Sequence, residues 1–431
     1  MNTNERPHII LMNDSFPPTI DGVANTVVNY ATVLQKKFAD VAVATPRYPK
    51  VEDHYDFPVY RYSSLPIPAA FGYRCGQPFS ADLMRQLGEF RPSLIHSHCP
   101  MISNFLARLL REQTGVPIVF TYHTKFDIDI RKALKSKLLQ EATIKIMINN
   151  IAACDEVWVV SHGAGENLRS LGYTGTYLVM DNGVDFPKGR AAQKDIDALS
   201  EKWQLSAQIP VFLFVGRMMW YKGVRLSLDG LRKVRDEGFD FRFILIGDGV
   251  DRAEIERYTE EIGLADRCIF TGAIRDRTLL RTYFSRADLF LFPSTFDTNG
   301  IVVREAAACS CPSLLIADSC ASEGIEHMKN GILVQENADS LAEHVLWACR
   351  NRETLQNIGT TASETIYLSW EDAVKRANSR YEEILSAIRR NPIPRKQEIG
   401  DDFFAAASET LTAVNKIRTD SEMLIQRMRR L

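Results

Sequence analysis

Asp297 and Glu305 stand near the two ends of the segment Pro293-Ser294-Thr295-Phe296-Asp297-Thr298-Asn299-Gly300-Ile301-Val302-Val303-Arg304-Glu305. The run from Ala287 to Phe292 before it is mostly apolar and of strand length. After Gly300 the spacing turns helical, with Ala306, Ala307 and Ala308 small enough for close packing. A strand therefore feeds a glycine turn that opens a helix. Helix starts carry unpaired backbone N–H groups and the positive end of the helix dipole, so Asn299, Gly300, Ile301 and Val302 form a cradle suited to a phosphate. Glu305 lies about 7.5 Å further along the axis, among residues that read as buried, where a carboxylate needs partners such as ribose hydroxyls. One extended ligand would fit: a sugar near Asp297, a diphosphate at the helix tip, a ribose at Glu305. The plainer alternative is a helix-capping Asp297 and a solvated Glu305.

Other polar residues fall at comparable places. Val215-Gly216-Arg217 ends an apolar run and opens a loop that reaches Lys222-Gly223. Arg217 offers a planar fork and Lys222 a mobile point charge, a pairing suited to a diphosphate leaving group. Tyr122-His123-Thr124 ends another run, and Phe16 to Gly22 follows the first. His96 and His98 share a strand face, but no third metal ligand is placed by the sequence, and no metal site is expected. The eight cysteines are scattered, several inside apolar runs, which is the usage of reduced, buried thiols.

These residues need a frame that gathers strand ends. Strand-like segments His8–Met12, Val41–Ala44, Ser93–His96, Ile118–Tyr122 and 156–161 alternate with helical ones such as Gly22–Lys36. A second series follows the polar stretch 188–194: Val211–Val215, 241–246, 269–270, Leu289–Phe292 and Ser313–Ile316. With 431 residues, the chain is long enough for two domains. The reading is α/β, two Rossmann-like domains, whose ligands would bind beyond the carboxyl ends of the strands. A formal net charge of −2 argues against general nucleic-acid binding. The polar N-terminus, followed by an apolar stretch only a strand long, reads as neither signal peptide nor membrane span, and a cytoplasmic protein is expected.

Taken together, the glycine loop ending at Gly22, Tyr122-His123-Thr124, Asn182-Gly183-Val184-Asp185, Val215-Gly216-Arg217 with Lys222-Gly223, Gly247-Asp248-Gly249, Phe270-Thr271-Gly272, the Asp297 to Glu305 segment and Trp370 resemble the retaining glycosyltransferases of the GT-B fold, family 4 (group 1). The resemblance spans roughly residues 8 to 385. It implies two domains facing across a cleft: residues 1–187 on the acceptor side, 188–366 binding a nucleotide sugar, and a crossover helix, 367–391, returning to the first domain. Beyond it lies an amphipathic helical tail, 395–431. The resemblance further implies that Arg217 and Lys222 hold the donor diphosphate, Glu305 the ribose, backbone near Ile274 the base, and Asp297 the transferred sugar. His123 would sit near the reacting sugar, and Gly22 would let the first loop approach the diphosphate. Asp297 departs from the family's usual Glu, and Asp21 from a usual glycine, where it would contact the acceptor or shape the turn.

The implied activity is retaining, metal-independent transfer of a hexose from a nucleotide-diphosphate sugar, UDP- or GDP-linked, with no cofactor, to a lipid or glycan of the cell envelope. The alternatives are an epimerase or hydrolase of similar fold, or a non-catalytic nucleotide-sugar-binding protein. The basic cluster Lys125, Arg131, Lys132, Lys135, Lys137 and Lys145 reads either as a patch for anionic membrane at the inner face or as a solvated helix face. In the tail, Phe404, Ala407, Leu411, Val414, Ile425 and Met428 follow helical spacing, a stripe that would dock on the body, join two chains or lie on a membrane.

Overall fold

A computed structural model describes residues 6–19, 21–66, 74–390 and 400–428, without side-chain detail at 129, 132 and 418–428. The chain forms two compact units: residues 1–181 with 373–431, and residues 182–372. The chain thus leaves the first unit at 181, and from Ala373 onward the helix Trp370–Arg390 groups with it again.

The first unit holds strands β1 (His8–Met12), β2 (Asp40–Pro46), β3 (Val59–Tyr62), β4 (Ser64–Pro66), β5 (Arg74–Gly76), β6 (Leu94–Ser97), β7 (Ile118–Tyr122), β8 (Glu156–Val159) and β9 (Leu178–Val179). Seven of them make a parallel sheet in the order β3-β2-β1-β6-β7-β8-β9, and β4 pairs antiparallel with β5. The second unit holds β10 (Val211–Val215), β11 (Arg242–Ile246), β12 (Cys268–Gly272), β13 (Leu289–Phe292), β14 (Ser313–Ile316) and β15 (Ile332–Val334), all parallel, in the order β12-β11-β10-β13-β14-β15. Parallel sheets are covered by helices on both faces, so their strands are near-continuous apolar runs. β10, Val-Phe-Leu-Phe-Val, is buried throughout. Phe212, Phe214, Phe243 and Phe290 fill the second core, and each fully buried ring contributes roughly 1.5–3 kcal/mol.

Strand order reverses direction beside β1 in the first unit and beside β10 in the second, and ligands of open α/β sheets bind at such switch points. The loop after β10 carries Arg217 and Lys222, and the loop after β13 carries Asp297 and Gly300, so these four flank the switch of the second sheet. Likewise the loops after β1 and β6 carry Asp14 and His98.

The C-terminal helices complete the first unit. Tyr381 stacks on Trp158 at 5.3 Å and its hydroxyl bonds His96 Nδ1 at 2.6 Å, while Arg380 grips Glu156 through several hydrogen bonds. The helix Asp401–Met428 docks on the helices Ala81–Glu89 and Ile102–Thr114. Phe404 is buried there under the Arg108 guanidinium, 3.9 Å from the ring centroid, and Arg108 Nη2 donates to Asp401 at 2.9 Å. Ala407 and Leu411 extend the contact, but Val414, expected in the same stripe, is half exposed, because Ser408 and Asn415 turn inward instead. The side chains of Ile425 and Met428 lie outside the described residues.

Candidate active site

In the second unit the helix of the opening segment runs Ile301–Ala308, and its N-cap is Gly300. That residue has φ 59°, and a Cβ there would come within 2.9 Å of Ala321 Cβ, so both conformation and space require glycine. The turn leaves the N–H groups of Ile301 and Val302 at the helix mouth, outside its own ladder. Asn299 precedes them in the same turn.

Asp297 does not cap this helix. Its Oδ1 accepts from Lys222 Nζ at 2.8 Å and its Oδ2 from Ser294 Oγ at 2.7 Å. Both partners are mostly buried, with side-chain exposures of 12% for Lys222 and 21% for Asp297, so the pair is shielded more than a surface ion pair. Lys222 reaches it because Gly223, at φ 78°, presses against Pro293: a Cβ there would come within 2.0 Å of the Pro293 carbonyl oxygen. Arg217, by contrast, is exposed, and its guanidinium has no protein partner among the described residues. Its loop is fixed by Met218 N donating to Asp248 O at 3.0 Å and Trp220 N to Asp251 Oδ2 at 2.9 Å. Ile274 is half-buried against the core, just past β12.

Glu305 is not solvated. It is 6% exposed, and its Oε1 accepts from Arg277 Nη2 at 2.5 Å. The same guanidinium bonds Asp185 through Nε at 3.0 Å and through Nη2, and sits 4.3 Å from the Phe186 ring centroid. Burial pushes the Glu305 carboxyl above its ordinary range; Arg277 pulls it back, and Asp185 pushes it up again. Asp185 is held by its segment: Val184 N donates to Leu368 O at 2.9 Å, and Trp370 N donates to Val184 O at 3.3 Å. Arg277 was missed by the sequence reading, since nothing local distinguishes it among 52 Lys and Arg residues. The one available signal is Asp276, whose carboxylate caps the helix Arg277–Arg286 and so fixes where that side chain starts.

In the first unit His123 is buried, and its Nε2 lies 2.9 Å from His98 Nδ1. Burial pulls the His123 imidazole down to about 3 and lowers His96 and His98 well below their ordinary value. All three are neutral at pH 7. The two strand-face histidines are therefore parts of a hydrogen-bond network: His96 bridges Tyr381 and Thr121, and His98 orients His123.

Asp21 shapes the turn: it is the N-cap of the helix Gly22–Lys37, accepting from Ala24 N at 2.7 Å. Gly22 has open space around its Cβ position. Lys125 precedes the helix Phe126–Ala133, Arg131 is exposed near Asp127, and Lys135, Lys137 and Lys145 are exposed. The side chain of Lys132 lies outside the described residues. The next helix, Lys137–Ala152, exposes Leu138 at 76%, Leu139 and Ile146 alongside those lysines. No helix among the described residues is long and apolar enough to cross a membrane.

Residues 20–186 match the family described as Glycosyltransferase Family 4, and residues 195–365 that described as Glycosyl transferases group 1, so the two matches together take in most of the chain. Among curated proteins it is 24% identical to an alpha-monoglucosyldiacylglycerol synthase of Acholeplasma laidlawii, covering 82% of this chain and 90% of that protein. It is also 24% identical to a GDP-mannose-dependent alpha-mannosyltransferase of Corynebacterium glutamicum, covering 89% and 91%. Among solved structures, a sucrose-phosphate synthase from Thermosynechococcus elongatus superposes with a TM-score of 0.71 at 21% identity, covering 89% of this chain and all of that one. Two parallel α/β units, both family matches and this structural kinship agree, and the chain belongs to the group 1, family 4 glycosyltransferases of the GT-B fold.

Proposed function

We propose that this glycosyltransferase moves a hexose, with retention of anomeric configuration, from a UDP- or GDP-sugar to a lipid or glycan acceptor of the cell envelope. The observation that carries the reading is the charge layout at the second sheet's switch point: an exposed Arg217 with no partner among the described residues, a Lys222 tethered by Asp297, and a glycine-capped helix start. Negative charge that builds on a departing diphosphate would meet two cations and a helix dipole already in place. That is the ground for proposing metal-independent transfer. On this reading the departing phosphate oxygen takes the acceptor's proton, Asp297 passes between Lys222 and the hydroxyls of the transferred sugar, and Glu305 receives the ribose. His123 would offer the reacting sugar a neutral hydrogen-bonding ring, since burial keeps it uncharged.

A lipid acceptor is favoured by the exposed leucines beside lysines on the helix Lys137–Ala152 and by the diacylglycerol-based name of one relative. The same patch supports peripheral binding to anionic membrane at the inner face of the cell membrane. The test is incubation of the purified chain with UDP- and GDP-hexoses, with and without diacylglycerol, in buffer containing EDTA. The expected product is an α-linked glycolipid from an α-linked donor. Release of free sugar or an epimerised donor regardless of acceptor would favour hydrolase or epimerase chemistry, and donor binding without turnover a binding protein.

A further inference from the structure

We propose that Arg277 is a positioning residue that gives the donor site its preference for ribose over 2′-deoxyribose. Clamped between Asp185 and Glu305, it holds the Glu305 carboxylate charged and oriented toward the two vicinal hydroxyls of a ribonucleoside diphosphate. The inference rests on the reading that Glu305 meets the ribose.

Glu305 is buried, and a carboxylate in that setting tends to neutralise itself by taking a proton unless a cation stays beside it. Arg277 is that cation, and it is itself immobilised from two further sides, by the Asp185 carboxylate and by the Phe186 ring. An ionised carboxylate has about four lone-pair directions. The bond from Arg277 uses one on Oε1 and leaves others for a diol. A protonated carboxyl would have to donate with one oxygen and could not accept from both hydroxyls equally well.

The titratable groups facing Glu305 are Arg277 from the helix Arg277–Arg286, Asp185 from the segment before Phe186, and Cys309 at the end of its own helix. Only Arg277 is a cation. Removing it leaves burial and the Asp185 charge, both of which push the Glu305 carboxyl upward. In such a variant the Glu305 carboxyl takes a proton more readily than in the wild type as pH falls.

The test is calorimetric titration of the full chain with UDP, GDP and their 2′-deoxy forms between pH 6 and 8, with pyrophosphate as a control ligand. The wild type is expected to favour the ribo form by about 10- to 100-fold, the worth of one hydrogen bond to a charged group, with a ratio flat across the range. R277Q is expected to lose most of that ratio and to lose more as pH falls, with pyrophosphate affinity unchanged. R277K should restore part of the ratio and flatten its pH profile. D185N, at a half-exposed position, loosens the clamp without removing the cation and should lower the ratio less. Wild-type ratios at every pH in both R277Q and D185N would overturn the proposal, as would an equal loss of pyrophosphate binding, the mark of a structural role. If the wild type shows no ribose preference and E305Q binds both forms like the wild type, the ribose reading of Glu305 itself fails.

Discussion

The two acids of the opening segment turn out to be occupied by cations in different ways. Asp297 is short enough to take Lys222 on one oxygen and Ser294 on the other, whereas Glu305 reaches Arg277 from inside the core. Asp297→Glu should therefore keep the tether while pushing the carboxylate one methylene further toward the sugar. Its expected effect is a change of about fivefold or more in the ratio of kcat/KM between two hexosyl donors, since small changes in pocket reach are worth about 1 kcal/mol; an unchanged ratio would separate Asp297 from sugar choice. Arg217 stands apart because nothing among the described residues holds its guanidinium. Arg217→Ala should lower turnover by about 100- to 1000-fold, the loss typical of one donor to developing negative charge, with an unaltered thermal melt. Near-normal turnover would remove Arg217 from the chemistry.

At the level of elements, the tail is part of the first unit's structure. Arg108 is buried, and its partners are Asn150 from the body and Asp401 and Phe404 from the tail. Phe404→Ala should destabilise the unit by about 3–5 kcal/mol, the range for deleting a buried ring, read from urea midpoints followed by tryptophan fluorescence. A loss under about 1 kcal/mol would show the tail to be loosely attached. Apart from β12 at a sheet edge, the strands that sequence patterning found are central ones, β1, β7, β10, β13 and β14 among them, because burial on both faces makes them continuous apolar runs. β3, β9 and β15 escaped notice at the sheet edges. β3 carries Arg61 in its four residues, β9 is two residues long and β15 three, too short for any periodicity to register.

Across the whole molecule two properties follow from how charge is distributed between inside and outside. His96, His98 and His123 are buried with their imidazoles held below the ordinary value. Unfolding lets each take a proton once pH drops below about 6.5, so the unfolded state binds more protons and stability falls as pH falls. The slope is at most about 1.4 kcal/mol per pH unit for each histidine. Asp14 and Glu305, raised by burial, act in the opposite sense at lower pH. Denaturant midpoints should therefore drop from pH 7 to pH 5.5, and a flat profile would mean that these rings are solvated. On the outside, Lys135, Lys137 and Lys145 surround exposed Leu138, Leu139 and Ile146. Co-sedimentation with anionic vesicles, but not neutral ones, is expected, with each Lys→Ala lowering partitioning about fivefold, or about 1 kcal/mol per charge. Equal recovery with neutral vesicles, or none with either, would count against a membrane patch.

The sequence by itself determined the class of fold, the strand ends that carry Arg217, Lys222, His123 and the Asp297 to Glu305 segment, and the family. All of these are written in short contiguous patterns: apolar runs, glycine turns, a helix start. Only the tertiary structure decided what those residues pair with. That Lys222 holds Asp297, that His98 orients His123, that Asp21 caps a helix, and that Arg277 and Asp185 brace Glu305 are contacts between residues up to 92 positions apart. The physical reason is that burial forces a polar group to find a partner, while the fold alone chooses which partner is within reach.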